Sequence, residues 1–366
     1  MPDTFRTILA FVVVLGVLVF IHELGHYLAA RWRGIHVERF AVGFGRPIAS
    51  WSDRRGTEWR IGWIPLGGYV KLHGQETPAD APPEVQAGWR PGETFHDKPV
   101  KDRAIVVAAG PAANFLLAIL LFGLLYATVG QPQTTTAVGV VAEGSAAARA
   151  GVLPGDRIVA LDGQAVTRFD QVQRHVQPRA GQPVQVTIER EGRQSTLSVT
   201  PEARTSGERT VGVLGIGAGA AQFERLDPFS ALWAGTVHTV DVTWQTLGAV
   251  GQMITGARGT EDLGGPLGIG RIAGEAARLG LASLVSFMAI LSVNLALINL
   301  FPIPVLDGGH LMFYAAEAIR GRPLPAKAQE YGFRAGFALL ITLFVFATWN
   351  DLANLGVVRW AAGLLG

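Results

Sequence analysis

Four stretches of this chain are too long and too apolar for the core of a water-soluble domain: residues 8–30, 104–129, 281–301 and 333–350. A helix needs about 20 such residues to cross the hydrocarbon of a bilayer. The pattern therefore predicts a polytopic α-helical membrane protein with four transmembrane helices, in contact with membrane lipid. Composition agrees: 49% of the 366 residues are hydrophobic and 16% charged, against roughly 25% charged in soluble domains. The formal net charge is +2 with scattered basic residues, which excludes a nucleic-acid surface. With no cysteine there can be neither disulfides nor cysteine-ligated metal. Asp3 and the length of the first run argue against a cleaved signal peptide.

A further apolar stretch, 229–256, is interrupted by His238, Asp241 and Gln245. It reads as an amphipathic or re-entrant element at the membrane surface rather than a fifth span. Basic residues set the expected orientation. Arg31 and Arg33 follow the first span, Lys98, Lys101 and Arg103 precede the second, and Arg320, Arg322 and Lys327 lie between the third and fourth. Segments 31–103 and 311–332 are thus expected on the cytoplasmic side. Both termini and the 130–228 region are expected outside, which in a Gram-negative cell is the periplasm of an inner-membrane protein. The resulting division is a first span over 1–30, a cytoplasmic-side loop over 31–103, a second span over 104–130 and a periplasmic domain over 131–205. A periplasmic linker with surface helices follows over 206–280, then a third span with a broken end over 281–310, a connection over 311–332, and a fourth span with its tail over 333–366.

Between the first two spans, "FAVGFGRPIASW" and "TEWRIGWIPLGGYVKLHG" alternate apolar and polar residues around glycines, the signature of strands and hairpins. Close to a membrane such a hairpin can dip toward the bilayer only where protein or water shields its backbone. Segment 137–203 changes character, with short strands, polar turns and a helix-like 169–177. Its size is near the minimum for an independent domain.

The chemistry is concentrated in "HELGH" at 22–26. His22 and His26 are four apart, so on a helix they lie one turn apart on one face. Two imidazoles so placed can bind one Zn2+, and Glu23 beside them can take a proton from a metal-bound water. Ionisable groups inside an apolar segment are costly and mark function by default. A catalytic zinc needs a third protein ligand. The candidates lie in "NLFPIPVLDGGH" at 299–310, where Pro302 and Pro304 break the helix and Gly308-Gly309 release it. Asp307 is the strongest, and His310 is its rival.

HELGH in the first span, "GPAANF" at 110–115 and "NLFPIPVLDGG" at 299–309 together resemble the site-2 protease family of intramembrane zinc metalloproteases. The resemblance covers nearly the whole chain, with the motifs in family order. It is to the regulator-of-sigma-E protease branch, through the GFG and IPLGGYVK segments and the insert, in which residues 144–166 resemble the core signature of a PDZ domain. It implies His22, His26 and Asp307 as zinc ligands and Glu23 as the catalytic base. It further implies that Asn299 holds the substrate backbone, that Gly43 and Gly45 belong to a membrane re-entrant hairpin, and that Gly67, Gly68, Tyr69, Val70 and Lys71 form an edge strand for the unwound substrate. The implied substrates are single-span membrane proteins, among them a pre-trimmed anti-sigma factor and signal-peptide remnants. Better-known members of the branch carry two PDZ domains, whereas residues 204–228 are too few for a second. The single insert would filter substrates by size or capture a peptide or substrate tail. Outside the resemblance, a zinc transporter and a non-proteolytic PDZ membrane chaperone stay open. The transporter would need ionisable residues spread along several spans, and the chaperone would have little use for Glu23.

Overall fold

The computed structural model describes residues 3–76, 81–133, 135–206, 209–220, 222–257, 259 and 264–354. Among the described residues, four helices are long and apolar enough to cross a membrane. In chain order, α1 (Asp3–Trp32) leads into β1 (Val37–Ser52) and β2 (Glu58–Leu72), a short α2 (Pro83–Ala87), and the second long helix α3 (Val100–Thr128). After them come β3 (Gln131–Gln133), β4 (Val138–Val141), α4 (Ala146–Arg149), β5 (Arg157–Leu161), β6 (Gln164–Ala165) and α5 (Phe169–Val176). The strands β7 (Val184–Arg190), β8 (Arg193–Val199), β9 (Glu202–Ser206), β10 (Arg209–Val213), β11 (Ile216–Ala218) and β12 (Gln222–Glu224) follow. The chain closes with α6 (Pro228–Ile254), α7 (Pro266–Leu279), α8 (Leu281–Leu300), α9 (Asp307–Arg320) and α10 (Ala326–Asn354). The spans are α1, α3, α8 and α10. At 20 residues α8 is about 30 Å long, one hydrocarbon thickness.

Contacts divide the chain into two compact units, one of residues Met1–Leu125 with Pro228–Gly366 and one of Tyr126–Asp227. In the first, the C-terminal end of α1 packs with the sheet and α3 around Tyr27, Ala30, Ile35, Val37, Phe40, Leu72 and Val106. The two long strands fold back on themselves, so that segments 49–52, 58–61, 39–42 and 68–71 lie side by side in that order. Gly43 and Gly45 (φ 81° and 85°) and Gly67 (φ 77°) make these reversals, in the left-handed region where a side chain is disfavoured. Segment 68–71 is left at one edge of the sheet.

The interrupted helix α6 packs lengthwise on two spans. Val242 and Leu247 join Phe115, Ala118, Val293 and Leu297, and Thr246 donates to Asn294 at 3.1 Å. Of the polar residues that break its hydropathy, His238 sets its ring edge to face against Phe122 of α3, centroids 4.5 Å apart, whereas Asp241 and Gln245 are exposed. At the end of α10, Asp351 is 5% exposed. Its carboxylate accepts from the Gly265 and Gly268 N–H groups at 3.0 and 2.9 Å, capping α7 from a neighbouring helix.

The second unit is β-rich. Val184, Val186 and Ile188 alternate inward from β7 onto Ile158, Leu161, Val172 and Val176. Its strands run in the order β6-β5-β7-β8, with β11 paired to β4 and β12 to β3. The pairing of β11 with β4 carries this unit past residue 205, where alternation in the sequence fades.

Candidate active site

α1 and α3 touch where both carry glycine. A Cβ at Gly25 would collide with the Ala109 carbonyl, and one at Gly110 with His26 Nε2. Small residues allow this approach, and Gly110 keeps the space in front of the imidazoles clear. His22 and His26 stand one turn apart, rings edge to face with centroids 4.8 Å apart. Their Nε2 atoms are 3.2 Å apart.

The third group arrives from a helix start. α8 ends at Leu300, and the chain turns through Pro302, Pro304 and a left-handed Val305 (φ 97°) into α9, whose first residue is Asp307. Gly308 and Gly309 are not a release from helix, as the sequence suggested, but the first turn of a new one. Side chains there would strike the Leu300 and Ile303 carbonyls. The tight reversal presents the Asp307 carboxylate to the histidines: Oδ2 lies 3.2 Å from His22 Nε2 and 3.5 Å from His26 Nε2.

These separations can be compared with a metal site. Zinc bonded at about 2.0–2.1 Å in a tetrahedron sets its ligand atoms about 3.3 Å apart. The observed edges of 3.2, 3.2 and 3.5 Å fit. His26 Nδ1 lies 2.9 Å from the Val106 carbonyl, which can only accept, so that nitrogen carries a proton and the neutral ring has its lone pair on Nε2. Asp307 Oδ2 is buried without a hydrogen-bond partner. Bare nitrogen and carboxylate oxygen facing each other in a buried space call for a shared cation. Among the described residues no other group of three histidines or carboxylates could hold a metal. His310 lies outside this group, its ring 5.3 Å from that of Phe333.

Glu23 adjoins the cluster on α1, next in sequence to His22. A Cβ on Gly68 would lie 3.1 Å from Glu23 Cγ, so edge segment 68–71 runs directly beside this carboxylate. Tyr69 stacks on Phe44 at 6.3 Å, and Lys71 pairs with Glu38 at 2.8 Å. Both side chains are therefore tied to the sheet. Asn299 donates its amide to the Leu295 carbonyl one turn back, at 3.0 Å. Sequence reasoning assigned no role to Asn114, which is wholly buried and lies 3.2 Å from His22 Nδ1. The signal was available as a lone amide in an apolar span.

Relatives extend over the whole chain. A candidate zinc metalloprotease of Rhizobium meliloti is 44% identical over 94% of this chain and 96% of its own length. A metalloprotease of Caulobacter vibrioides is 41% identical over 96% of each. Among solved structures, a PDZ domain of an SdrC-like protein of Listeria monocytogenes is 20% identical, covering 23% of this chain and 87% of that domain at a TM-score of 0.21. Peptidase family M50 matches residues 10–343, a range that holds both histidines, Glu23 and Asp307. This polytopic membrane chain, with its three converging ligand atoms and adjoining glutamate, belongs to peptidase family M50.

Proposed function

We propose that this chain is a zinc-dependent intramembrane endopeptidase in which His22, His26 and Asp307 hold the metal and Glu23 is the base. The observation that carries the reading is the triangle of ligand atoms 3.2–3.5 Å on edge beside a buried, unpartnered carboxylate oxygen. The chemistry supplied there by a bound Zn2+ is Lewis acidity, which acidifies water toward a pKa of about 7 and polarises a peptide carbonyl.

The protein's own groups account for the remaining steps. Glu23 takes the proton of the attacking water as the new C–O bond forms, and delivers it to the leaving amide nitrogen as the C–N bond breaks. His22, His26 and Asp307 side chains are 11%, 13% and 16% exposed, so the cleft is open to water without being bathed in it.

A transmembrane substrate has its backbone hydrogen bonds satisfied within its own helix and must be unwound to be cut. The free edge of segment 68–71 beside Glu23 supports strand addition there. In that role Gly67, Gly68, Tyr69, Val70 and Lys71 receive the substrate, Asn299 holds its backbone, and Gly43 and Gly45 shape the re-entrant sheet. The resemblance to the regulator-of-sigma-E protease branch supports single-span substrates such as a pre-trimmed anti-sigma factor or signal-peptide remnants. It also supports an inner-membrane location with a periplasmic, single-PDZ insert. Within that insert, a cavity of about 140 Å3 lies between Phe169, Val172 and Val176 on α5 and residues 211–216. β10 pairs only with β9 among the described strands, an arrangement suited to an added strand and favouring capture of a peptide tail.

The test is Glu23→Gln, which should keep zinc and abolish cleavage of a model transmembrane substrate. Cleavage by the purified variant at the wild-type rate would overturn the assignment of the base.

A further inference from the structure

His26 and His22 are oriented by different means. The Val106 carbonyl fixes the tautomer of His26. His22 Nδ1 lies 3.2 Å from Asn114 Nδ2, and a half-turn of the amide would put the acceptor Oδ1 there in place of the donor. Atom positions alone do not distinguish the two ends.

Asn114 is 0% exposed, in the middle of an apolar span. A buried amide there costs free energy unless paired. Its main-chain carbonyl accepts from Ser292 Oγ at 2.8 Å, a contact that any residue at 114 would keep. The side chain has His22 as its one described partner, and the other amide atom is buried without one. No competing contact therefore dictates which end faces the ring. The metal centre does. With Nε2 turned toward Asp307 and His26, His22 can offer a lone pair there only if its proton sits on Nδ1. An Nδ1–H needs an acceptor, and a half-turn of the Asn114 amide, whose Oδ1 is buried without a partner, brings that oxygen into position.

We propose that Asn114 is a positioning residue of the metal centre, its side-chain oxygen accepting the Nδ1 proton of His22 and committing Nε2 to the cation. This rests on the zinc-peptidase reading above. Partners of this kind, which hold a ligating imidazole in one tautomer, typically change metal affinity 10–100-fold when removed.

The experiment measures zinc affinity by chelator competition on the purified full-length chain, so no activity is needed. Asn114→Leu keeps the bulk and removes the acceptor, and should weaken zinc binding about 10–100-fold. Asn114→Asp keeps an acceptor and drops the donor, and should bind at least as tightly as wild type. Equal affinity in wild type and Asn114→Leu would overturn the proposal. So would an Asn114→Asp protein weakened like Asn114→Leu, since that is the sign expected if the amide donates. Should Asn114→Leu not purify folded, Asn114→Asp decides alone, because the two roles predict opposite shifts for it. A wild-type chain that binds no zinc would overturn the metal reading and this proposal together. Zinc-binding wild type with indifferent variants would overturn the proposal only.

Discussion

Removing the Asp307 carboxylate has two effects of opposite sign, and measuring both tests the metal reading. A four-ligand zinc site gains about 10–16 kcal/mol from its metal, so one ligand contributes roughly 3–4 kcal/mol by equal division. At about 1.4 kcal/mol per decade, Asp307→Ala should lower zinc affinity by two to three orders of magnitude, leaving two imidazole nitrogens 3.2 Å apart. In the metal-free protein the same change removes a buried oxygen without a hydrogen-bond partner, a group that costs about 1–3 kcal/mol. Without metal, Asp307→Ala should therefore unfold at no lower temperature than wild type, whereas with zinc it should unfold lower. His310→Ala is the control. It loses ring contact with Phe333, worth about 0.5–1.5 kcal/mol, and should leave zinc affinity unchanged. The assay is chelator competition paired with thermal unfolding in detergent, with and without zinc. If His310→Ala loses the metal while Asp307→Ala keeps it, the third ligand has been misassigned.

Three further outcomes are expected. Val70→Pro removes a backbone N–H from the edge segment that runs beside Glu23, so it should slow cleavage with zinc retained, and normal turnover would discard strand addition at this segment. In the insert, hydrogen bonds from Arg190 and the Leu153 N–H hold the Asp156 carboxyl below its usual pKa of 3.8. A depressed folded pKa stabilises above the unfolded value and is lost as pH falls through the folded one, so amide exchange in β7, taken relative to the unstructured rate at each pH, should be steady from pH 7 to about 4 and accelerate below. Asp156→Asn should speed that exchange at pH 7, by at most about 1.5–3 kcal/mol and less for screening at a 42% exposed Arg190, and equal protection in the two proteins would contradict the pairing. Finally, Gln133 pairs with Gln222, so residues 134–221 can be replaced by a short turn. If the insert captures a tail, this enzyme cuts trimmed substrate more slowly, whereas cutting of untrimmed substrate would identify a size filter instead.

Much of this protein was legible in one dimension because a bilayer imposes one-dimensional rules. An apolar run of sufficient length must be a helix, since hydrocarbon offers no other partner for its backbone, and the four spans follow from length and hydropathy alone. His22, Glu23 and His26 were equally readable, because helical periodicity puts residues four apart on one face whatever surrounds them. The insert declared itself through its turns and its shift in polarity.

Tertiary structure decided what depends on the chain returning to itself. The sequence left Asp307 and His310 as rivals three residues apart. Only the start of α9 at Asp307, forced by tight backbone packing around Gly308 and Gly309, turns the carboxylate and not the imidazole toward the histidines. Which side of α6 would be covered was not legible either: its packing on α3 and α8 engages Val242, Thr246 and Leu247 and leaves Asp241 and Gln245 exposed. Asn114 looked like part of a motif without a task until the helix crossing brought it 3.2 Å from His22 across 92 residues of sequence. Hydrogen bonds act over about 3 Å, and nothing in residue order reveals which distant amide will fall within that reach.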